Sequence, residues 1–168
     1  FIDKNSNNKI NSDTELILLA FTKFGVLRSL KKFIGMFAIS VWDNKLKKLT
    51  LVRDRIGEKP LYYGYQDNNF IFSSELKAIK NFSLIDIKIN PKSVNFFYSR
   101  HNVPAPYCIY ENFYKLESGN ILEIYYDDIK NNNIENTFSN LLINGKKANQ
   151  TWWNIENLKN ESSYKMID

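Results

Sequence analysis

The sequence predicts an α+β fold resting mainly on antiparallel sheet, and three observations carry that reading. A helix-start signature, Ser12-Asp13-Thr14-Glu15, opens a stretch whose apolar residues recur at helical spacing. After Gly35 the period changes from helical to alternating. Two strand–turn–strand units follow, interleaved with short helices instead of the regular strand–helix alternation that builds a doubly wound parallel sheet.

The opening Asp3-Lys4-Asn5-Ser6-Asn7-Asn8-Lys9 is polar and glycine-free, a loop or a frayed edge. Ser12 is the expected N-cap, with Glu15 reaching back to complete a capping box. Leu16, Leu19, Ala20 and Phe24 form the helical stripe, and Gly25 supplies the stop. A second short helix is predicted from Val26 to Ile34, with Leu27, Leu30 and Ile34 on one side. Met36–Trp42 and Leu49–Val52 read as strands joined by the turn-forming Asp43-Asn44-Lys45. Arg53 to Lys59 is a charged loop around Gly57, closed by Pro60. Leu61–Tyr65 and Phe70–Phe72 make a second hairpin about Asp67-Asn68-Asn69, and Ser73 or Ser74 caps a short helix over Glu75–Lys80.

Asn90-Pro91 starts another helix, an N-cap followed by proline at the first helical position, running to about Ser99. Two prolines impose a loop over His101–Pro106. Glu111–Ile124 reads as a turn and a strand broken by Ser118-Gly119. Asp127–Gln150 is Asn-rich and weakly patterned, an insertion or a long hairpin, and Trp152-Trp153 is expected to end the structured part. There are no internal repeats.

Composition narrows the function. At 168 residues, with 43% hydrophobic and 24% charged residues, the chain can bury one core. No apolar run approaches the roughly 20 residues that span a bilayer, and nothing marks export, so no membrane is expected. The one cysteine, Cys108, excludes an internal disulfide framework and any cysteine-based zinc cluster, which fits a reducing cytoplasm. A net charge of +5 and a pI near 9.1 invite a nucleic-acid reading. The lysines are scattered, however, as Lys31-Lys32, Lys47-Lys48 and Lys146-Lys147, and arginine is scarce, so no nucleic-acid face is expected. Neither common Gly-rich phosphate loop is present. The chain opens on Phe1 and runs straight into polar sequence, which reads as a truncation.

Few residues could carry chemistry. His101 is the single histidine, so a Cys–His pair would have to join it to Cys108 across a Pro-rich loop with no orienting Asp or Asn; Cys108 reads more simply as a small buried apolar residue. Asp13, in the first turn of a helix, is stabilised in its ionised form by the helix dipole. It either serves the helix alone or receives a ligand's ammonium group. Arg53, Asp54 and Arg55 form either an ion-pair network fixing the loop between hairpins or a solvated charged turn. No metal-binding cluster is expected.

Several stretches together go further: Ser12-Asp13-Thr14-Glu15, Gly35-Met36-Phe37-Ala38, Val41-Trp42-Asp43, the run Arg53-Asp54-Arg55-Ile56-Gly57-Glu58-Lys59-Pro60-Leu61-Tyr62-Tyr63, and Phe72-Ser73-Ser74-Glu75-Leu76-Lys77-Ala78. With Lys115-Leu116 and Gly119, they resemble in order the second half of the class-II (Ntn-type) glutamine amidotransferase domain of the asparagine synthetase B family. The resemblance covers Ser12 to about Leu122 and extends toward Trp153. It implies an αββα sandwich of antiparallel sheets, here incomplete at its amino terminus, with 1–153 as a partial glutaminase domain and 154–168 as a linker to an ATP-dependent synthetase domain.

The reaction so implied is hydrolysis of the glutamine side-chain amide by an amino-terminal cysteine whose own α-amino group is the base. The ammonia travels to the synthetase domain, where it attacks an adenylylated aspartate. ATP and magnesium belong to that domain, and no cofactor is implied for this segment. By resemblance Asp13 holds the α-ammonium of glutamine, and the Arg53–Tyr63 segment is structural. The nucleophile, the arginine that grips the glutamine carboxylate and the oxyanion-hole Asn-Gly should precede residue 1, so no catalytic residue is expected within this segment. Ser118 departs from the family by replacing a proline before Gly119. The expected partners are glutamine, the synthetase domain of the same parent and a second copy in a homodimer. Relatives in surface-polysaccharide pathways that aminate another carboxylate, and a non-catalytic interaction domain, are the alternatives.

Overall fold

The computed structural model describes residues 12–156. The predicted Asp3–Lys9 loop and all but the first three residues of the predicted 154–168 linker lie outside them. The chain divides into two compact units, Phe1–Gly35 and Met36–Asp168.

In the first unit, α1 spans Asp13–Phe24 and α2 spans Val26–Leu30. Ser12 is extended, and its hydroxyl accepts from the Glu15 N–H at 3.2 Å, as the signature predicts. Gly25 ends α1 at φ 76°, its N–H donating to the Phe21 carbonyl at 2.9 Å. The buried Ser29 hydroxyl ties the two helices together, lying 2.9 Å from the Ala20 carbonyl and 2.8 Å from that of Gly25. Phe21 stacks on Phe33. The second helix is shorter than expected. The Lys32 and Phe33 amides both turn back to the Ser29 carbonyl, and Leu30 is buried whereas Ile34 is 95% exposed. Leu27, Leu30 and Ile34 therefore share no buried stripe that would carry the helix on.

The second unit is built on three antiparallel sheets. The largest has the order β1-β2-β6-β10, from Ala38–Asp43, Lys48–Arg53, Asn120–Tyr125 and Asn149–Thr151. The first hairpin pairs Ala38 with Arg53 and Asp43 with Lys48, and the Asp43 carboxylate closes its turn by accepting from the amides of Lys45 and Leu46. The second sheet, β4-β3-β5, joins Asn69–Ser73, Tyr62–Gln66 and Phe113–Lys115. Its hairpin turns on Asp67 and Asn68, both at positive φ, the two-residue turn that matches strand twist.

Two helices accompany this sheet. α3, Leu76–Lys80, begins one residue later than predicted: Glu75 occupies the cap position, and the Ser73 hydroxyl accepts the Glu75 N–H instead of capping the helix. α4, Pro91–Arg100, starts as predicted, with the Asn90 side chain accepting from the Lys92 N–H at 3.1 Å.

The carboxyl-terminal side refines two expectations. The strand broken at Ser118-Gly119 is two strands in different sheets, β5 beside β3 and β6 beside β2. Gly119 makes the crossing at φ 63°, where an added Cβ would lie 2.3 Å from the Trp153 carbonyl oxygen. The Asn-rich 127–150 segment, read as an insertion or a long hairpin, contains a hairpin in which Ile134–Asn136 pairs with Leu141–Ile143. It holds α5 (Tyr126–Lys130) and the third sheet, β7-β8-β9 (Ile134–Asn136, Leu141–Ile143, Lys146–Lys147). Ile134, Leu141 and Ala148 are buried in one core with Leu51, Tyr63, Tyr114, Leu122 and Ile124, so all three sheets share it. Its asparagines serve the turns: Asn132 and Asn144 both sit at positive φ.

At the centre of the second sheet, β3 and β5 approach so closely that a Cβ on Gly64 would meet the Asn112 carbonyl at 2.4 Å and the Phe113 ring at 2.5 Å. Gly64→Ala is expected to destabilise the fold by about 1–3 kcal/mol through overpacking, read as a lowered urea midpoint at unchanged slope.

Candidate functional site

The one residue that sequence and resemblance single out as a ligand group, Asp13, is the first residue of α1 and is exposed. Ser12 performs the capping. The Asp13 carboxylate makes no hydrogen bond or ion pair among the described residues. It stands at the positive end of a helix dipole, where an anion is stabilised, with its oxygens unspent.

The Cys–His alternative meets a different arrangement. Cys108 is buried beside Ile79 and Phe113, and burial pushes its thiol up, away from the thiolate a nucleophile needs. His101 is exposed, ending α4 in the left-handed conformation at φ 52°.

The charged loop after β2 is no solvated turn: Arg53 and Asp54 are both buried. Asp54 is only 1% exposed, and its carboxylate accepts from the backbone amides of Gly57 at 2.6 Å, Glu58 at 3.0 Å, Lys59 at 3.0 Å and Phe37 at 3.3 Å. Burial pushes this carboxyl up, but the amides of Lys59, Glu58, Gly57 and Phe37 together outweigh it and hold the group below the usual carboxylate range. Arg53, also buried, donates through Nε to the Lys59 carbonyl, through Nη2 to that of Gly57 and through Nη1 to that of Leu116. No ion pair joins the two. The polar atoms of both side chains are spent on backbone groups, of the loop itself and of Phe37 and Leu116, and each such bond is worth about 1.5–3 kcal/mol against the several kcal/mol of desolvation.

The loop is also fastened from outside. The Trp152 indole donates to the Arg53 carbonyl at 3.2 Å and stacks on Phe37, and the Arg55 guanidinium lies over the Trp152 ring. Gly119 donates to the Asp54 carbonyl, and at Gly57, at φ 72°, an added Cβ would lie only 3.1 Å from the Arg53 guanidinium carbon and from the Ser118 Cβ. The Arg-Asp-Arg spacing signalled part of this hub. The roles of Phe37, Leu116 and Trp152 were not readable, because their contacts depend on how distant strands are ordered.

Comparison with known proteins gives a consistent picture. Residues 1–136 match the glutamine amidotransferase domain. A putative asparagine synthetase [glutamine-hydrolyzing] 2 of Methanocaldococcus jannaschii is 40% identical over 116 residues, covering 68% of this chain and 22% of that protein. Asparagine synthetase [glutamine-hydrolyzing] 2 of Bacillus subtilis is 28% identical over 168 residues, covering 94% of this chain and 19% of its own. A third, asparagine synthetase [glutamine-hydrolyzing] 3 of the same bacterium, is 40% identical over 68 residues, 40% of this chain and 11% of its own. The chain thus spans about a fifth or less of the length of these relatives.

The matched 136 residues contain both Asp13 and the whole Arg53–Pro60 loop. Because the Asp54 carboxyl is held below its unfolded value of about 3.9, its stabilising contribution is full above that pH and is lost as pH falls through the lower, folded value. Asp54→Asn is therefore expected to destabilise the chain most near neutrality. Its deficit relative to the native chain should shrink on acidification below about pH 4, as read from urea midpoints along a pH series.

Proposed function

The chain belongs to the glutamine amidotransferase domain family, and we propose that it forms the later part of a glutaminase domain serving an asparagine-synthetase-type ligase. In the proposed reaction the side-chain amide of glutamine is hydrolysed, and the released ammonia amidates aspartate at an ATP-using centre elsewhere in the parent protein. One observation carries the reading. At the start of α1 the structural work is done by Ser12, while the neighbouring Asp13 presents an exposed carboxylate with no partner among the described residues. Such a carboxylate suits the α-ammonium of a free amino acid.

The attacking sulfur is assigned to an amino-terminal cysteine outside these 168 residues. Cys108 is a poor substitute, being buried, thiol-favouring and without a free α-amino group. In the proposed chemistry that α-amino group takes the thiol proton and Sγ attacks the amide carbon. Ammonia leaves with a proton returned to it, and water then cleaves the thioester to give glutamate. The 168-residue chain by itself is accordingly expected to be inactive. The second unit's sheets would form the two central layers of an αββα sandwich, a proposal that their shared core supports.

ATP and its magnesium are assigned to the synthetase part of the parent. No helix of the described residues is long and apolar enough to cross a membrane. A cytoplasmic setting and a homodimer belong to the same proposal.

In the intact parent protein, Asp13→Asn is expected to raise the KM for glutamine by an amount equivalent to about 1.5–3 kcal/mol of lost charged hydrogen bonding. Synthesis supplied with free ammonia should be unchanged. Steady-state kinetics with the two nitrogen donors make the test, and unaltered glutamine kinetics would remove Asp13 from the site.

A further inference from the structure

The hairpin of β8 and β9 turns on Asn144-Gly145, and Asn144 is the single asparagine of the chain that is followed by glycine. Ile143 pairs with Lys146 across it, so these two residues form the whole turn, and both are left-handed, at φ 51° and 72°. The turn is exposed. A Cβ built on Gly145 would meet no atom within 4 Å, so no distant part of the chain crowds that side of the Asn144–Gly145 peptide.

The Asn144 side chain is loosely held. Its Nδ2 lies 3.4 Å from the Asp128 Oδ1, at the far limit of a hydrogen bond, and its Oδ1 accepts none among the described residues. The ends of the hairpin are better anchored. The Asn144 N–H donates to the Asn133 carbonyl at 2.9 Å, and Leu141 and Ala148, which pair through their backbones on the flanking strands, are both buried. The side-chain amide carbon of Asn144 is thus followed by a peptide nitrogen whose residue has no side chain to obstruct it, in a turn exposed enough to open locally.

We infer that Asn144-Gly145 is a site of spontaneous chemical modification, at which the Asn144 amide is lost and a mixture of aspartate and isoaspartate takes its place. When the turn opens and Asn144 leaves its left-handed conformation, the Gly145 nitrogen gives up its proton and bonds to the Asn144 Cγ. The Cγ–Nδ2 bond breaks, and Nδ2 departs as ammonia carrying a proton. Water then opens the resulting succinimide at either carbonyl. One opening gives aspartate, and the other gives isoaspartate, whose main chain runs through Cβ and Cγ. Aspartate puts a second carboxylate beside that of Asp128, where the native amide is a donor. Isoaspartate adds a carbon to the main chain of a two-residue turn, which the Ile143–Lys146 and Leu142–Lys147 pairings cannot absorb in register. The site shares no residue with Asp13 and does not rest on the proposed glutaminase chemistry.

The test is peptide mapping by mass spectrometry of the full chain aged in mildly alkaline buffer, beside a sample aged unfolded in guanidinium. In the folded chain the peptide carrying Asn144 is expected to yield two new forms, each with the mass of an amide NH2 exchanged for a hydroxyl. Both should form faster as pH rises and faster still in guanidinium, and both should be missing from Asn144→Gln. The aged chain is expected to have a lower urea midpoint than freshly made Asn144→Asp, which carries the charge without the extra main-chain carbon. The inference is overturned if the folded chain keeps Asn144 intact after the unfolded sample has converted there completely. New forms that persist in Asn144→Gln, or an aged chain as stable as Asn144→Asp, overturn it as well.

Discussion

Asp54 accepts from the amides of Phe37, Gly57, Glu58 and Lys59, while Arg53 beside it donates to the carbonyls of Gly57, Lys59 and Leu116. The loop between the first two sheets is too irregular to satisfy its own backbone, and burying it with orphaned groups would cost about 1–3 kcal/mol for each. Two adjacent side chains of opposite charge solve this by acting as surrogate secondary structure. The carboxylate takes the donors that point inward, and the guanidinium takes the acceptors. Through Leu116 and Phe37 the same pair reaches β5's exit and β1's entry, so the spatial relation of the two larger sheets rests on it.

This explains why Gly57 is required where it stands. A Cβ there would press on the Arg53 guanidinium at 3.1 Å, and the backbone is left-handed at that point. It also separates the loop's two kinds of charge. Arg53 and Asp54 are buried and structural, whereas Arg55 lies over the Trp152 ring on the other side.

Local chemistry was legible in the sequence wherever a short segment decides its own conformation. Ser12, Gly25 and Asn90 fix helix ends through their own backbone neighbours, and Asp67-Asn68 fixes a hairpin by adopting positive φ. What could not be read depends on partners distant in the chain. Whether the residues around Ser118-Gly119 form one strand or two is settled by β3 and β2. The Asn-rich stretch read only as an insertion or a long hairpin because its buried residues, Ile134, Leu141 and Ala148, are few and widely spaced, so no periodicity betrays that they complete a core begun at Leu51. Asp13 was legible as a helix-start carboxylate beside its Ser12 cap, but that it makes no hydrogen bond or ion pair among the described residues follows only from the structure.

The return of the chain at Trp152 has a temporal meaning. The strand Asn149–Thr151 closes the largest sheet against β6, and the Trp152 indole bonds the Arg53 carbonyl across 99 positions of sequence. Contacts of such separation are slow to form, because the entropy of a long closed loop is spent before they reward it. During synthesis at the ribosome the hairpins can zip as they emerge. The hub around Arg53 and Asp54 draws on Phe37, Leu116 and Trp152, so it can be complete only after all three segments have been synthesised.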